Sequence, residues 1–430
     1  MTRAIYSALL HALLPALLLR LLWRSLRAPA YRERWRERLG FYSKPPVPVD
    51  IWVHAVSVGE VQAAQPMIRH LMLRDPGMRV LVTTTTPTGA RRLRELFDER
   101  VAHLYCPFDL SLIARRFLVR VKPRLAIVME TEIWPNLLAE CERRDVPVLL
   151  VNARLSARSA RGYAKLRSLA AESMGRFQLI AAQTQADAER FIALGVPAER
   201  VAVTGSIKFD LLLPASLTDQ AEVMRRGWGS NRPIWVAAST HEGEEELLLR
   251  AHARLREWLP AALLVLVPRH PDRFERVAAL VQRRGFKLAR RSLGHACDAQ
   301  SSVYLGDTMG ELVSFIAAAD AAFVGGSLVP TGGHNLLEAA AVGVPVIVGP
   351  HVFNFVEVTR LLMAHQAAVQ IQSIDELTQC LHRWLTDAAE RARIGENGRR
   401  AVEANRGALE RLLRLIDPHL DAIAPAKPST

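Results

Sequence analysis

An alternation that runs twice along this chain constrains its fold more than any other feature. Short aliphatic runs are separated by stretches with helical spacing. The first series of runs is Ile51–Val56, Arg79–Thr84, Leu125–Met129, Val148–Val151, Gln178–Ala182 and Val201–Val203. Amphipathic segments of helix length lie between them, at Val61–Leu73, Asp109–Val121 and Ile133–Arg144. The second series is Ile234–Ala238, Leu263–Val267, Val303–Leu305, Ala321–Val324, Val346–Val348 and Ala367–Ile371. Strands that read as unbroken aliphatic runs are buried on both faces, and strand–helix alternation joins them in parallel. The fold class is therefore α/β, with two Rossmann-like domains. Such a pair predicts a deep cleft between the domains, with ligands outside the carboxyl ends of the strands.

The 430 residues suit two or three domains of ordinary size. The expected division is an N-terminal anchor and basic segment (1–44), a first domain (45–210), a linker (211–232), a second domain (233–416) and a tail (417–430). The linker carries Pro214, Gly227 and Gly229 and little strand signal.

The N-terminal segment differs from the rest. Ala4–Leu19 is apolar apart from Tyr6, Ser7, His11 and Pro15, and Leu21-Leu22-Trp23 follows Arg20. Residues 1–44 hold nine Lys and Arg against Glu33 and Glu37, which is +7 of the chain's formal +13. A cleaved signal peptide wants its positive charge before the apolar run, where only Arg3 stands. A single span and an interfacial helix both place the Arg cluster on the cytoplasmic side, next to anionic lipid. A buried first helix is the third reading. A basic run abutting aliphatic residues suits lipid better than nucleic acid, so no nucleic-acid partner is expected. Cys106, Cys141, Cys297 and Cys380 show no CxxC spacing, which excludes a disulfide scaffold and a structural zinc site and fits a reducing compartment.

The loops after the strands carry the candidate chemistry. His54-Ala-Val-Ser-Val-Gly-Glu60 turns into a helix, and Glu60 in its first turn is either a dipole partner or a general base. Met129-Glu-Thr-Glu-Ile-Trp-Pro-Asn136 brings Glu130 to a strand end, with Glu132 as a helix cap; clustered carboxylates there are either acid–base groups or caps. Thr204-Gly-Ser-Ile-Lys-Phe-Asp210 offers Lys208 as an interdomain cation or a solvated linker lysine. In the second half, Pro268-Arg269-His270 ends a strand with two groups able to meet a phosphate, or forms a surface turn. Asp307-Thr-Met-Gly-Glu311 opens a helix whose N–H groups bind an anion or are simply capped by Asp307.

The strongest signal is Gly325-Gly-Ser-Leu-Val-Pro-Thr-Gly-Gly-His-Asn-Leu-Leu-Glu338. Its glycines allow close backbone approach to a ligand, a helix is expected to start near His334, and Glu338 suits a ribose diol. There is no GxxxxGK[ST], no GxGxxG after the first strand, no HExxH, no GxSxG and no DxD-type metal motif. No cofactor or metal is expected. A nucleotide held by Arg, backbone N–H groups and a Glu suits a leaving group of low charge, such as a nucleoside monophosphate.

Taken together, His54–Glu60, Glu130–Asn136, Gly205–Asp210, Pro268–Pro271 and Gly332–Glu338 resemble the 3-deoxy-D-manno-octulosonic acid (Kdo) transferases of lipopolysaccharide synthesis, in order and spacing across nearly the whole chain. The resemblance implies a GT-B glycosyltransferase fold, with acceptor in the N-terminal domain and CMP-Kdo mainly in the C-terminal one. It implies inverting, metal-independent transfer of Kdo from CMP-Kdo to a tetraacyl lipid A precursor (lipid IVA), at the cytoplasmic side of a Gram-negative inner membrane. By the same resemblance Glu60 is the general base, and Glu130 and Lys208 stabilise the transition state. Pro268, Arg269, Met309, Gly310, Glu311, Asn335, Leu336, Leu337 and Glu338 hold CMP. The rival within the same fold is a UDP-sugar enzyme, either a lipid-linked sugar transferase or a 2-epimerase, and an epimerase would need no anchor. A non-catalytic membrane scaffold predicts damage at Glu60, Glu130 or Lys208, all of which are present.

Overall fold

A computed structural model of the chain describes residues 2–27, 29–42, 49–211 and 213–423. Lys44, the expected boundary at 44/45 and residues 424–430 of the expected tail lie outside them. The chain forms two compact units. One comprises residues up to Asp210 together with those from Arg406 onward, and the other runs from Leu211 to Asn405.

The first unit is built on seven parallel strands: β1 (Ile51–His54), β2 (Val80–Thr84), β3 (Ala102–Tyr105), β4 (Leu125–Met129), β5 (Val148–Ala153), β6 (Leu179–Ala182) and β7 (Val201–Val203), in the order β3-β2-β1-β4-β5-β6-β7. Alternate residues divide between two cores, as the pleat requires. Ile51, Val53, Leu125, Ile127, Leu149 and Val151 face one, while Trp52, Leu81, Ala126, Val128 and Leu150 face the other.

The second unit repeats the plan with β8 (Ile234–Thr240), β9 (Leu263–Pro268), β10 (Leu288–Arg290), β11 (Val303–Leu305), β12 (Ala321–Val324), β13 (Val346–Val348) and β14 (Ala368–Gln370). Their order is β10-β11-β9-β8-β12-β13-β14, and all pairs are parallel.

Two expected boundaries move. Residues 211–232 are not a bare linker: Leu217–Trp228 is a helix of the second unit, with Leu217, Ala221 and Trp228 buried. The Trp228 ring lies 5.1 Å from that of Tyr304, centroid to centroid. The second domain does not extend to 416 either. The helix Ala408–Ile423 belongs to the first unit, because Ala408, Leu412, Ile416 and Leu420 form one apolar stripe buried on the core under β1, β4 and β5. Burial of each large side chain there contributes about 1.5–3 kcal/mol. Asp210 clips the helix start: its two carboxylate oxygens accept the Gly407 and Leu409 N–H groups, each at 2.6 Å.

At the other end of the chain, Arg3–Arg27 is a helix long and apolar enough to cross a membrane, and none of its apolar window is buried in the fold. Ile5, Leu9, Leu13, Leu19, Leu22, Trp23 and Leu26 are exposed. At 100° per residue these fall on one half of the helix. Its polar side is docked: Tyr6 Oη donates to Asp109 Oδ2 at 2.9 Å, and Ser7 Oγ donates to Asn136 Oδ1 at 2.7 Å. Beyond its far end the chain is tied down again. Glu37 Oε2 accepts the Tyr105 N–H at 2.9 Å, and the Arg38 guanidinium donates to the Thr85 carbonyl at 2.8 Å.

Candidate functional site

Each sheet reverses its strand order beside the strand that begins it in sequence. β1 lies between β2 and β4, and β8 lies between β9 and β12. Open parallel sheets bind ligands at that reversal, outside the carboxyl ends. In the first unit β1 and β4 pair directly, His54 opposite Val128. The loops that leave them carry Glu60 and Glu130.

Ser57 caps the helix Val58–Arg74 and accepts the Glu60 N–H at 3.3 Å; Glu60 in turn accepts the Ser57 hydroxyl and the Val56 N–H, both at 2.9 Å. This resembles a capping box, with the Val56 N–H in place of the Ser57 N–H. The carboxylate that completes the cap is also buried, beside the carboxylates of Glu130 and Glu132. Burial first, then the charge of Glu130, push the Glu60 carboxyl up to about 8, against its two hydrogen bonds.

Glu130 follows β4 with φ of 56°, a conformation few residues other than glycine adopt. Its Oε1 accepts Lys208 Nζ at 2.7 Å, and Arg154 Nε stands 3.7 Å from Oε2. Lys208 is carried on the short turn Ile207–Phe209, whose two apolar residues are buried. It is therefore paired with Glu130 and is not a solvated linker lysine.

Glu132 is not the helix cap the sequence suggested. The helix Pro135–Glu142 is capped by Asp109, which accepts the Asn136 and Leu137 N–H groups at 3.1 and 2.8 Å. Glu132 accepts the Trp134 indole N–H at 2.9 Å instead, and burial raises its pKa. His54 is a core residue: it is fully buried with Nδ1 2.8 Å from Thr83 Oγ1, and burial holds its pKa down to about 3.

In the second unit the glycine-rich segment follows β12 and takes a different part from the expected one. A side chain at Gly325 would meet the Ser239 carbonyl oxygen at 2.6 Å, so this glycine permits close approach to β8. The N–H groups of Gly326, Ser327 and Leu328 are also occupied. They donate to the buried Glu244 carboxylate at 2.7, 3.0 and 2.9 Å, and the His241 N–H joins them at 2.8 Å. The expected helix near His334 starts only at Leu337 and is five residues long.

Of the residues assigned to CMP, Leu336 and Leu337 have side chains buried in the fold, which leaves them only backbone groups to offer. Asn335 and Glu338 are half-buried, with Asn335 Nδ2 3.3 Å from Glu338 Oε1. Pro268 ends β9 and is buried, and Arg269 follows it with its N–H on the Thr240 carbonyl at 3.0 Å. Met309 and Gly310 are exposed, whereas Glu311 is held by the Arg291 guanidinium at 2.6 Å, which lowers its pKa. Asp307 caps no helix: it accepts Arg290 Nε and the Ser292 N–H, both at 2.8 Å.

The sequence reading passed over two residues here. His241 Nε2 lies 2.7 Å from His334 Nε2 with the rings stacked, and Glu244 sets the glycine turn. Both lie in Thr240-His-Glu-Gly-Glu-Glu, directly after a predicted strand, and that position was the available signal. Among the described residues, no group of three or more His, Cys, Asp or Glu could hold a metal ion. All four cysteines are buried and unbridged.

Comparison with known proteins places this geometry. Residues 33–211 match the family model described as 3-deoxy-D-manno-octulosonic-acid transferase (kdotransferase), and residues 235–401 match glycosyl transferases group 1. A solved putative UDP-N-acetylglucosamine 2-epimerase from Listeria monocytogenes superposes with a TM-score of 0.52 over 90% of this chain and all of its own, at 12% identity, a likeness of fold alone. Two parallel α/β units of this kind make up the GT-B fold, and the two family matches make the chain a glycosyltransferase. A 3-deoxy-D-manno-octulosonic acid transferase from Haemophilus influenzae is 43% identical over 98% of this chain and 99% of its own length. One from Bordetella pertussis is 39% identical over 89% and 90%. The chain belongs to the Kdo transferase family.

Proposed function

We propose that this Kdo transferase moves Kdo from CMP-Kdo to a tetraacyl lipid A precursor, with inversion at the anomeric carbon and without a metal ion. The observation that carries the reading is Glu60 at the reversal of the first sheet, buried on the Ser57 hydroxyl and the Val56 N–H at 2.9 Å, where burial and the Glu130 charge push its carboxyl up to about 8. A base with that affinity is matched to taking a proton near neutral pH. The acceptor hydroxyl gives its proton to Glu60 as its oxygen bonds the anomeric carbon, and the bond from that carbon to the CMP phosphate oxygen breaks. Glu130 offsets the positive charge that builds on the sugar, and Lys208 the negative charge on the departing phosphate. In the second unit Pro268–Arg269, Met309–Glu311 and Asn335–Glu338 hold CMP. The charges are met by side chains, so a chelator leaves the rate unchanged. The test is transfer in detergent with CMP-Kdo, lipid IVA and EDTA; Kdo-bearing lipid is expected, and its absence from a folded protein would sink the reading.

The helix Arg3–Arg27 attaches the protein to the inner-membrane surface, with the two units on the cytoplasmic side. It lies along the membrane and does not span it. Tyr6 and Ser7 near one end, and Glu37 and Arg38 beyond the other, are all bonded to the same folded unit. Its exposed apolar half enters the lipid, and the neighbouring arginines meet anionic headgroups. A cysteine placed at Thr2 should react with an impermeant maleimide only after spheroplasts are broken. Labelling in intact spheroplasts would mean a span.

A further inference from the structure

Asn152 lies near the end of β5, beside Glu130: β4 and β5 pair in register as far as Met129 and Val151, and the Glu130 N–H donates to the Val151 carbonyl at 3.0 Å. Both Asn152 and Glu130 take the left-handed conformation, with φ of 50° and 56°. Two such residues side by side at strand ends are costly unless the surroundings over-determine them, and they mark working sites. The pairing of β5 with β6 shifts register between Leu150 and Ala153, where Asn152 sits. The side chain is fully buried. Its Oδ1 accepts the Ile207 N–H at 3.2 Å, while its Nδ2 has no partner among the described residues. Gln183 Nε2 donates to its carbonyl oxygen at 2.8 Å and fixes the bulge from the other side.

We infer that Asn152 is a positioning residue for the Lys208–Glu130 pair. The turn Ile207–Phe209 is one short helical turn, and Lys208 is its middle residue. The Asn152 amide holds the first N–H of that turn and so fixes where the lysine stem begins. The left-handed bulge is what puts the Asn152 side chain on that N–H. Asparagine suits the post because it accepts a hydrogen bond and tolerates the left-handed region better than most residues. The consequence for catalysis rests on the transferase reading above; the consequence for Lys208 geometry does not.

The test uses Asn152→Gly, which keeps the backbone conformation and removes the acceptor, and Asn152→Asp, which keeps both. The chain has six lysines, so reductive ¹³C-methylation gives few resonances, and Lys208→Arg assigns the one of interest. In the wild type the Lys208 resonance should show an ion-paired lysine. It should move to the position of a solvated one in Asn152→Gly and stay in Asn152→Asp. In transfer assays Asn152→Gly should lower kcat about 10- to 10²-fold with the KM for CMP-Kdo unchanged, and Asn152→Asp should recover most of it. In a Lys208→Met background Asn152→Gly should add nothing, because the residue acts through the lysine. A Lys208 resonance that does not move in Asn152→Gly, or a kcat loss that persists in the Lys208→Met background, overturns the inference. A wild type that transfers no Kdo overturns the donor reading instead, and the resonance still decides the position of Lys208.

Discussion

Glu60→Gln should leave a folded protein whose transfer rate is lower by about 10² to 10⁴, the usual worth of a positioned general base. Wild-type kcat/KM should rise with pH and level off above about 8, because only the deprotonated carboxyl can take the acceptor's proton. The residual rate of Glu60→Gln should lack that rise. Stability should move the opposite way. A carboxyl whose folded pKa lies above its unfolded value contributes stability that is complete below about 4.5 and is lost as pH rises through about 8. Glutamine cannot ionise, and its amide oxygen can still accept the Val56 N–H. The Tm of Glu60→Gln should therefore gain on the wild type as pH rises from about 4.5 to about 8, and the gain should level off above that, where the carboxyl is ionised in both folded and unfolded protein. Activity and stability would then trade against each other at one residue, as they do where a buried charge is kept for chemistry. Transfer undiminished in the variant would retire Glu60 as the base while leaving the cap in place.

What the sequence disclosed and what it withheld follow from burial. Strands such as Ile51–His54 and Leu263–Pro268 were legible because both faces are covered, so every residue but His54 is apolar. The two strands that escaped, Ala102–Tyr105 and Leu288–Arg290, sit at sheet edges, and exposed residues such as Ala102 and half-buried ones such as Arg290 break their pattern. The helix Ala408–Ile423 looked like an ordinary end to the second domain, because no local pattern says which core an amphipathic stripe will cover. Glu60, Glu130 and Lys208 could be read from their places after strands. That Glu130 and Lys208 form an ion pair could not, because it depends on two turns 78 residues apart. The glycine segment misled in an instructive way. Its sequence promised close backbone approach to a ligand, whereas the N–H groups of Gly326, Ser327 and Leu328 meet a distant carboxylate, Glu244.

Lys208→Met and Glu130→Gln should each lower kcat about 10²- to 10³-fold, and the double variant should lose little more than either. The two side chains meet at 2.7 Å and are both largely sheltered, so neither keeps its orientation or its charge balance without the other. Lys208→Arg keeps the charge but not the compact ammonium, and should recover only part of the loss. The two single variants differ in their pH dependence. The Glu130 charge is the second cause, after burial, of the raised Glu60 pKa. Removing a neighbouring negative charge makes Glu60 easier to deprotonate, so the rising limb of kcat/KM should move to lower pH in Glu130→Gln even as its plateau falls. Rate profiles from pH 5 to 10, a span of roughly two to three units on either side of the Glu60 transition, measure both effects at once. A plateau that falls with no shift of the limb would separate Glu130 from Glu60 electrically. Full additivity in the double variant would mean that Lys208 and Glu130 act on different steps.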